Sequence, residues 1–136
     1  MASRSLSDLH PKAREKALQW VDACKAAGID VLIYCTYRDA KEQDDLYRIG
    51  REIPGKRVTN AKGGQSMHQY RVAWDSVPLI GGKPAWSNSE LYRRMGEVAE
   101  GLGIEWAGRW KSFRETAHFQ YVEGLTLADF IAGRTL

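Results

Sequence analysis

Cysteine is scarce, with only Cys24 and Cys35 in 136 residues. Neither belongs to a Cys-x-x-Cys pair, which argues against a thiolate metal site. Cys24 falls in a helical pattern and Cys35 in an apolar strand pattern, so both read as small core residues kept reduced. No stretch is long and apolar enough to span a membrane. The first residues, Met1-Ala2-Ser3-Arg4-Ser5, lead into charged residues and not into an apolar run. The expectation is therefore synthesis and folding in a cytoplasm, with no stable membrane association. Lys and Arg form no dense run, and a net charge of +3 is too small to argue for nucleic acid. That mild excess suits approach to an anionic polymer. Internal repeats, linkers and low-complexity segments are absent.

What is present is ordinary globular material: 43% hydrophobic and 27% charged residues, a balance that disfavours disorder. The length suits a single domain over residues 1–136. Pro11 and Gly28 bracket a helix over 11–27, whose apolar face is Ala13, Ala17, Trp20, Val21 and Cys24. Ile29 to Tyr34 reads as a buried strand. Asp39 and Glu42 have capping-box spacing for a second helix ending near Ile49 and Gly50. Residues 51–66 carry Pro54, Gly55, Gly63 and Gly64 without periodicity, and predict a long loop of the kind that often serves function. Tyr70 to Val77 reads as a strand, and Gly81-Gly82 as a turn. Ser87 and Glu90 suggest a box opening a helix to Leu102, which Gly103 ends. Ile104–Trp106 and Ala117–Val122 are further strand candidates, and Thr126 suits the cap of a closing helix over Leu127–Ala132. Helices segregated from a mostly antiparallel sheet make an α+β fold.

Of the three histidines, His10 lies beside the first helix, where a cap or surface role suffices. His68 and His118 lie at strand edges near acidic residues. Two imidazoles and a carboxylate form a common zinc set that leaves a fourth position for water. His68 and Asp75 lie seven residues apart. Seven extended residues span roughly 23 Å, so the chain must turn between them, close after His68. The same spacing also fits a surface histidine and a strand-end aspartate. Glu115, three residues before His118, has the place of a base beside a ligand, or of an exposed loop glutamate. Trp106 and Trp110 are candidates for a cleft wall; the other tryptophans read as core.

These runs together resemble a family. Ser66-x-His68, Asp75 seven residues on, and Glu115-x-x-His118 are similar to the pattern of M15-type bacterial-wall zinc peptidases. That family includes D-alanyl-D-alanine carboxypeptidases and phage L-alanyl-D-glutamate endopeptidases. Tyr37-Arg38, Gln43, Leu46-Tyr47, Gly50-Arg51 and the run Val58 to Gly64 match as well, so the resemblance covers roughly residues 11–132. It implies a Hedgehog/DD-peptidase-like domain in which His68, Asp75 and His118 ligate Zn2+. Glu115 would act as base and then acid, and Arg38 would stabilise the oxyanion or bind substrate. Ser66 and Gln43 would support the substrate or the ligands. Many members carry Gly three residues after the first His, where this chain has Arg71. If residues 71–75 are extended, Arg71, Ala73 and Asp75 share a face. Arg71 would then hold a substrate carboxylate, orient Asp75 or occupy the sheet surface.

The resemblance implies a peptidoglycan stem peptide as partner, cut at L-Ala-D-Glu, with D-Ala-D-Ala carboxypeptidase activity as the alternative. A monomer is expected. Without an export signal or an added wall-binding module, the expectation is a phage lysin made in the host cytoplasm that reaches the periplasmic wall after pore formation. The resemblance extends to the Hedgehog signalling domain, so a non-catalytic zinc module is the alternative of another class.

Overall fold

The computed structural model describes residues 2–136; Met1, the first residue of the expected domain, lies outside them. In chain order the elements are α1 (Pro11–Ala26), β1 (Asp30–Cys35), α2 (Ala40–Arg48), β2 (Ala73–Ile80), β3 (Lys83–Pro84), α3 (Ser89–Gly101), β4 (Glu105–Trp106), β5 (His118–Gln120) and α4 (Leu127–Ile131). The five strands form one sheet in the order β1-β2-β5-β4, with β3 on β2. Every pairing between these strands is antiparallel. The α+β fold read from the sequence is the one observed.

Local chemistry explains most boundaries. His10 caps α1, its Nδ1 accepting from the Lys12 N–H, which is the bland role expected of it. Asp39 and Glu42 form the full capping box of α2, and Thr126 and Asp129 form one on α4. The β2–β3 hairpin turns at Gly81 and Gly82, both at positive φ, as a two-residue turn matched to strand twist requires. Helix α3 departs from the expectation. Asn88, not Ser87, caps it, accepting from Leu91 N–H, while Glu90 pairs with Arg93. Asn is as good a cap as Ser, and the chain uses the residue one position nearer the helix.

Strand alternation divides the sheet into two unlike faces. Trp74 of β2 lies opposite Phe119 of β5, and Trp106 of β4 also opposes Phe119. This face packs under α1 and α3. Trp20 meets Phe119 at 4.5 Å between ring centroids, and its indole N–H donates to the Met95 carbonyl at 3.0 Å. Ala13, Ala17, Cys24, Met95 and Ala99 complete the core. Cys24 and Cys35 are both buried free thiols, as expected. Trp106 belongs to this core and not to the cleft wall proposed for it. It is buried, donates its N–H to the Thr116 carbonyl at 2.8 Å, and lies so close to Gly96 and Gly108 that a Cβ at either would overlap its ring. The opposite face carries Asp75, His118 and Gln120.

Candidate metal centre and catalytic cleft

The residues after the long loop position the first histidine. Ser66 caps a 3-10 helix over Met67–Tyr70, its Oγ accepting from the His68 N–H at 3.2 Å. This helix replaces the beginning of the strand expected at Tyr70. It supplies the turn that the His68–Asp75 spacing demands, and β2 begins only at Ala73. Asp75 then faces His118 directly across β2 and β5.

Three ligand-type atoms converge there. His68 Nε2 lies 3.2 Å from Asp75 Oδ1, and His118 Nδ1 lies 3.3 Å from the same oxygen. With metal–ligand bonds of about 2.0–2.2 Å, the edge of a zinc tetrahedron is about 3.4 Å, and each imidazole–carboxylate separation is close to that length. Each ring also spends its other nitrogen on an acceptor. His68 Nδ1 donates to the Thr36 carbonyl at 2.8 Å, and His118 Nε2 to Gln120 Oε1 at 2.8 Å. In the neutral form, each ring then has its lone pair turned towards Asp75, the arrangement a metal needs. The chemistry of this donor set, two imidazoles and a carboxylate, fits zinc.

The electrostatics agree. Burial alone would raise the Asp75 carboxyl, but the two imidazoles facing it more than offset this and hold it well below the usual carboxylate range. For His68, burial acts to lower the imidazole, yet the Asp75 carboxylate wins and pushes it up to about 10. The site favours positive charge beside Asp75, which a divalent cation would supply in place of protons.

Cys35 also comes within reach: its sulfur, His68 and Asp75 offer ligand atoms within 4.8 Å of one another. The thiol approaches His68 from the Nδ1 side, at 3.8 Å, where Thr36 already holds the ring. It also accepts from Arg38 at 3.3 Å. His68, Asp75, His118, Glu115 and Arg38 line a cleft of about 840 Å³, whereas Cys35 does not. Cys35, not His118, completes the group whose ligand atoms all lie within 4.8 Å of one another, whereas His118 lies on the open cleft, where a hydrolytic metal would meet water and substrate.

Around the cluster, Glu115 is half exposed, with Oε2 3.7 Å from His118 Nδ1. Arg38 reaches Asp75 Oδ2 at 3.7 Å. It is steered by Gln43, whose Oε1 accepts from it at 2.8 Å while its amide donates to the Ala61 carbonyl. Gln43 is fully buried, so its support goes to Arg38 and the loop, not to substrate. Tyr34 was missed by the sequence reading. It sits in a β-bulge, where Ile33 pairs with Ser76 and Cys35 with Asp75, and its side chain lines the cleft. Burial and the facing Asp75 push its phenol well above the ordinary range, so it stays a neutral donor. Trp110 is a cleft wall as expected, 5.5 Å from the His118 ring. Gln120 was also missed, although the spacing His118-x-Gln120 signals a shared strand face.

Arg71 is not brought to the cluster. It precedes β2, so strand alternation does not reach it, and it adopts φ 63°, ψ 32° at the end of the 3-10 helix. Its guanidinium donates to the Asp8 carbonyl at 2.9 Å and covers the Tyr37 ring at 3.8 Å. The glycine common here in the resembling family has a backbone explanation: this is left-handed space that glycine enters freely. Arg71→Gly should therefore keep zinc content and turnover within error. Loss of zinc or of activity, by elemental analysis and peptide hydrolysis, would return Arg71 to the site.

Comparison with known proteins places this geometry. A family model described as D-alanyl-D-alanine carboxypeptidase matches residues 59–121, the span that holds His68, Asp75, Glu115 and His118. The peptidoglycan L-alanyl-D-glutamate endopeptidase CwlK of Bacillus subtilis (strain 168) is 38% identical, over 85% of this chain and 75% of that protein. The L-alanyl-D-glutamate peptidase of Listeria phage A118 is 28% identical over 88% of this chain, which spans only 41% of the phage protein. Among solved structures, the L-Ala D-Glu endopeptidase ChiX of Serratia marcescens superposes with a TM-score of 0.69 at 21% identity, covering 96% of this chain and 92% of that one. The vancomycin resistance D,D-pentapeptidase VanY, in complex with Zn(II), gives 0.66 at 19% identity, with 91% and 78% covered.

Proposed function

The chain belongs to the M15 peptidase family, and from that premise we propose that it is a zinc-dependent endopeptidase that hydrolyses the L-Ala–D-Glu bond of peptidoglycan stem peptides. The observation that carries the chemistry is the pair of imidazole nitrogens facing one oxygen of Asp75 at 3.2 and 3.3 Å in the floor of an open cleft. The preference for L-Ala–D-Glu rests on the relative that is 38% identical.

In this reading His68, Asp75 and His118 hold the metal. When bound, zinc supplies Lewis acidity to a water and to the amide carbonyl. Glu115, exposed at the cleft and hinged only loosely to His118, takes a proton from the attacking water and later gives it to the leaving amine. Arg38, held by Gln43 and Asp75, sets a fixed positive charge where the carbonyl oxygen becomes anionic. The Tyr34 phenol, kept neutral, offers a further donor to substrate. Ser66 acts through the backbone of His68.

The phage relative supports a lytic role; synthesis in a host cytoplasm, action on the periplasmic wall and a monomeric state are proposed with it. Among the described residues no helix is long and apolar enough to cross a membrane. The bond and the reaction class are read together by mass spectrometry of muropeptides digested with purified protein. The expected result is a new N-terminal D-Glu, abolished by chelator. Loss of terminal D-Ala instead would make the enzyme a carboxypeptidase, and intact muropeptides would leave a zinc-binding module.

A further inference from the structure

The side chains on the cleft face of the sheet continue beyond the metal cluster. His118 and Gln120 are two residues apart on β5 and so share that face. Asp75 opposes His118 from β2, and Glu105 opposes Gln120 from β4. Ala73, also opposite Gln120, is too small to crowd the amide. The contacts run in line: Glu105 Oε2 accepts from Gln120 Nε2 at 2.8 Å, and Gln120 Oε1 accepts from His118 Nε2 at 2.8 Å. His118 and Gln120 are buried, whereas Glu105 is exposed.

The direction of this chain is chemically forced. An ionised carboxylate only accepts, so Glu105 takes the NH2 end of the Gln120 amide and turns the oxygen end to His118. An amide oxygen also only accepts, so His118 must carry its proton on Nε2. The neutral ring then has its lone pair on Nδ1, the nitrogen that faces Asp75 and Glu115. His68 needs no such device. Its Nδ1 meets the Thr36 carbonyl of the main chain, which cannot reverse. Gln120 can reverse by an amide flip, and with the NH2 towards His118 the proton would sit on Nδ1 and block ligation.

We propose that Glu105 and Gln120 are positioning residues, a carboxylate–amide relay that holds His118 in the tautomer able to bind the metal through Nδ1. The proposal rests on His118 being a ligand. It makes an exposed side chain on a neighbouring strand a determinant of zinc affinity.

Glu105→Lys tests it at a position where exposure spares folding. A lysine ammonium donates to the amide oxygen and reverses Gln120. Zinc affinity, measured by chelator competition, should fall about 10–100-fold, the usual effect of losing a partner behind a metal-bound histidine. The nitrogen NMR spectrum of the metal-free His118 ring should move from the Nε2–H to the Nδ1–H tautomer. The paired exchange Glu105→Gln with Gln120→Glu sets an acceptor directly against Nε2 and should restore both. An unchanged affinity and tautomer in Glu105→Lys would overturn the relay, as would a fall in affinity with the Nε2–H tautomer retained. Retention of zinc by His118→Ala would instead overturn the ligand assignment beneath it, so the two failures are told apart.

Discussion

Glu115→Ala should bind one zinc per chain, melt where the parent protein melts, and hydrolyse wall peptide about 10²–10⁴-fold more slowly, the range that a positioned general base contributes. The carboxylate is half exposed, and its closest approach to the cluster is 3.7 Å, beyond the 3.2 and 3.3 Å that separate the ligand atoms. Removing it therefore takes away neither a metal bond nor core packing. The loop it sits on is held by main-chain bonds that survive the change, Glu115 N–H to the Ala107 carbonyl and His118 N–H to the Glu115 carbonyl. Elemental analysis, thermal melting and turnover on purified muropeptides make the measurement. Near-normal turnover with zinc bound would move the base elsewhere, and loss of zinc would turn Glu115 into a ligand.

His118→Ala should lose both zinc and hydrolysis, and should lose more activity than Glu115→Ala, because it removes the metal on which the other residues act. It should also destabilise the fold. The buried Gln120 oxygen loses its donor, and leaving such a group unpaired costs about 1–3 kcal/mol. Cys35→Ala is the matched comparison. Its thiol lies within ligand reach of His68 and Asp75, yet on the side of the ring already taken by Thr36. Zinc content should persist in Cys35→Ala and vanish in His118→Ala. The reverse pattern would exchange the third ligand.

The elements that were legible in the sequence are those whose signals are local. The caps at Asp39 and Thr126, the glycine turn at 81–82 and the helical stripe from Ala13 to Cys24 are each specified within a few residues, and each was found. The exception at α3 is instructive: Ser87, Asn88 and Ser89 are all acceptable caps, and periodicity does not choose among them. His68, Asp75, Glu115 and His118 were legible as a set of ordered motifs, and the structure brings the four together. Of the roles open to Arg71, the surface one is what the structure shows, because the strand begins only at Ala73 and the extended path to the face of Asp75 does not form. The left-handed turn that ends the 3-10 helix has no signature in a residue that so rarely adopts it. Tyr34 and the Glu105–Gln120 pair were invisible for another reason. A bulge and a cross-strand register are set by pairing between distant segments, and no window along the chain contains both partners.

The division of labour around the cleft has a consequence for how such a protein can diversify. The acid–imidazole side of the cleft is written into β2 and β5, where Trp74 and Phe119 alternate with Asp75 and His118. Inserting or deleting one residue there would exchange the greasy face for the reactive one, so neither strand can change length without loss of both. Val58, Thr59 and Ala61 also line the cleft, and they come from the segment between α2 and the 3-10 helix, which belongs to no helix or strand. That segment is fastened by few ties, chiefly Gln43 to Ala61, Arg51 to Thr59 and Asp44 to Gly63. Lengthening or recolouring it between those ties would reshape what the cleft admits while the hydrolytic apparatus stays untouched, giving lineages a route to new wall chemistries through one stretch of loop.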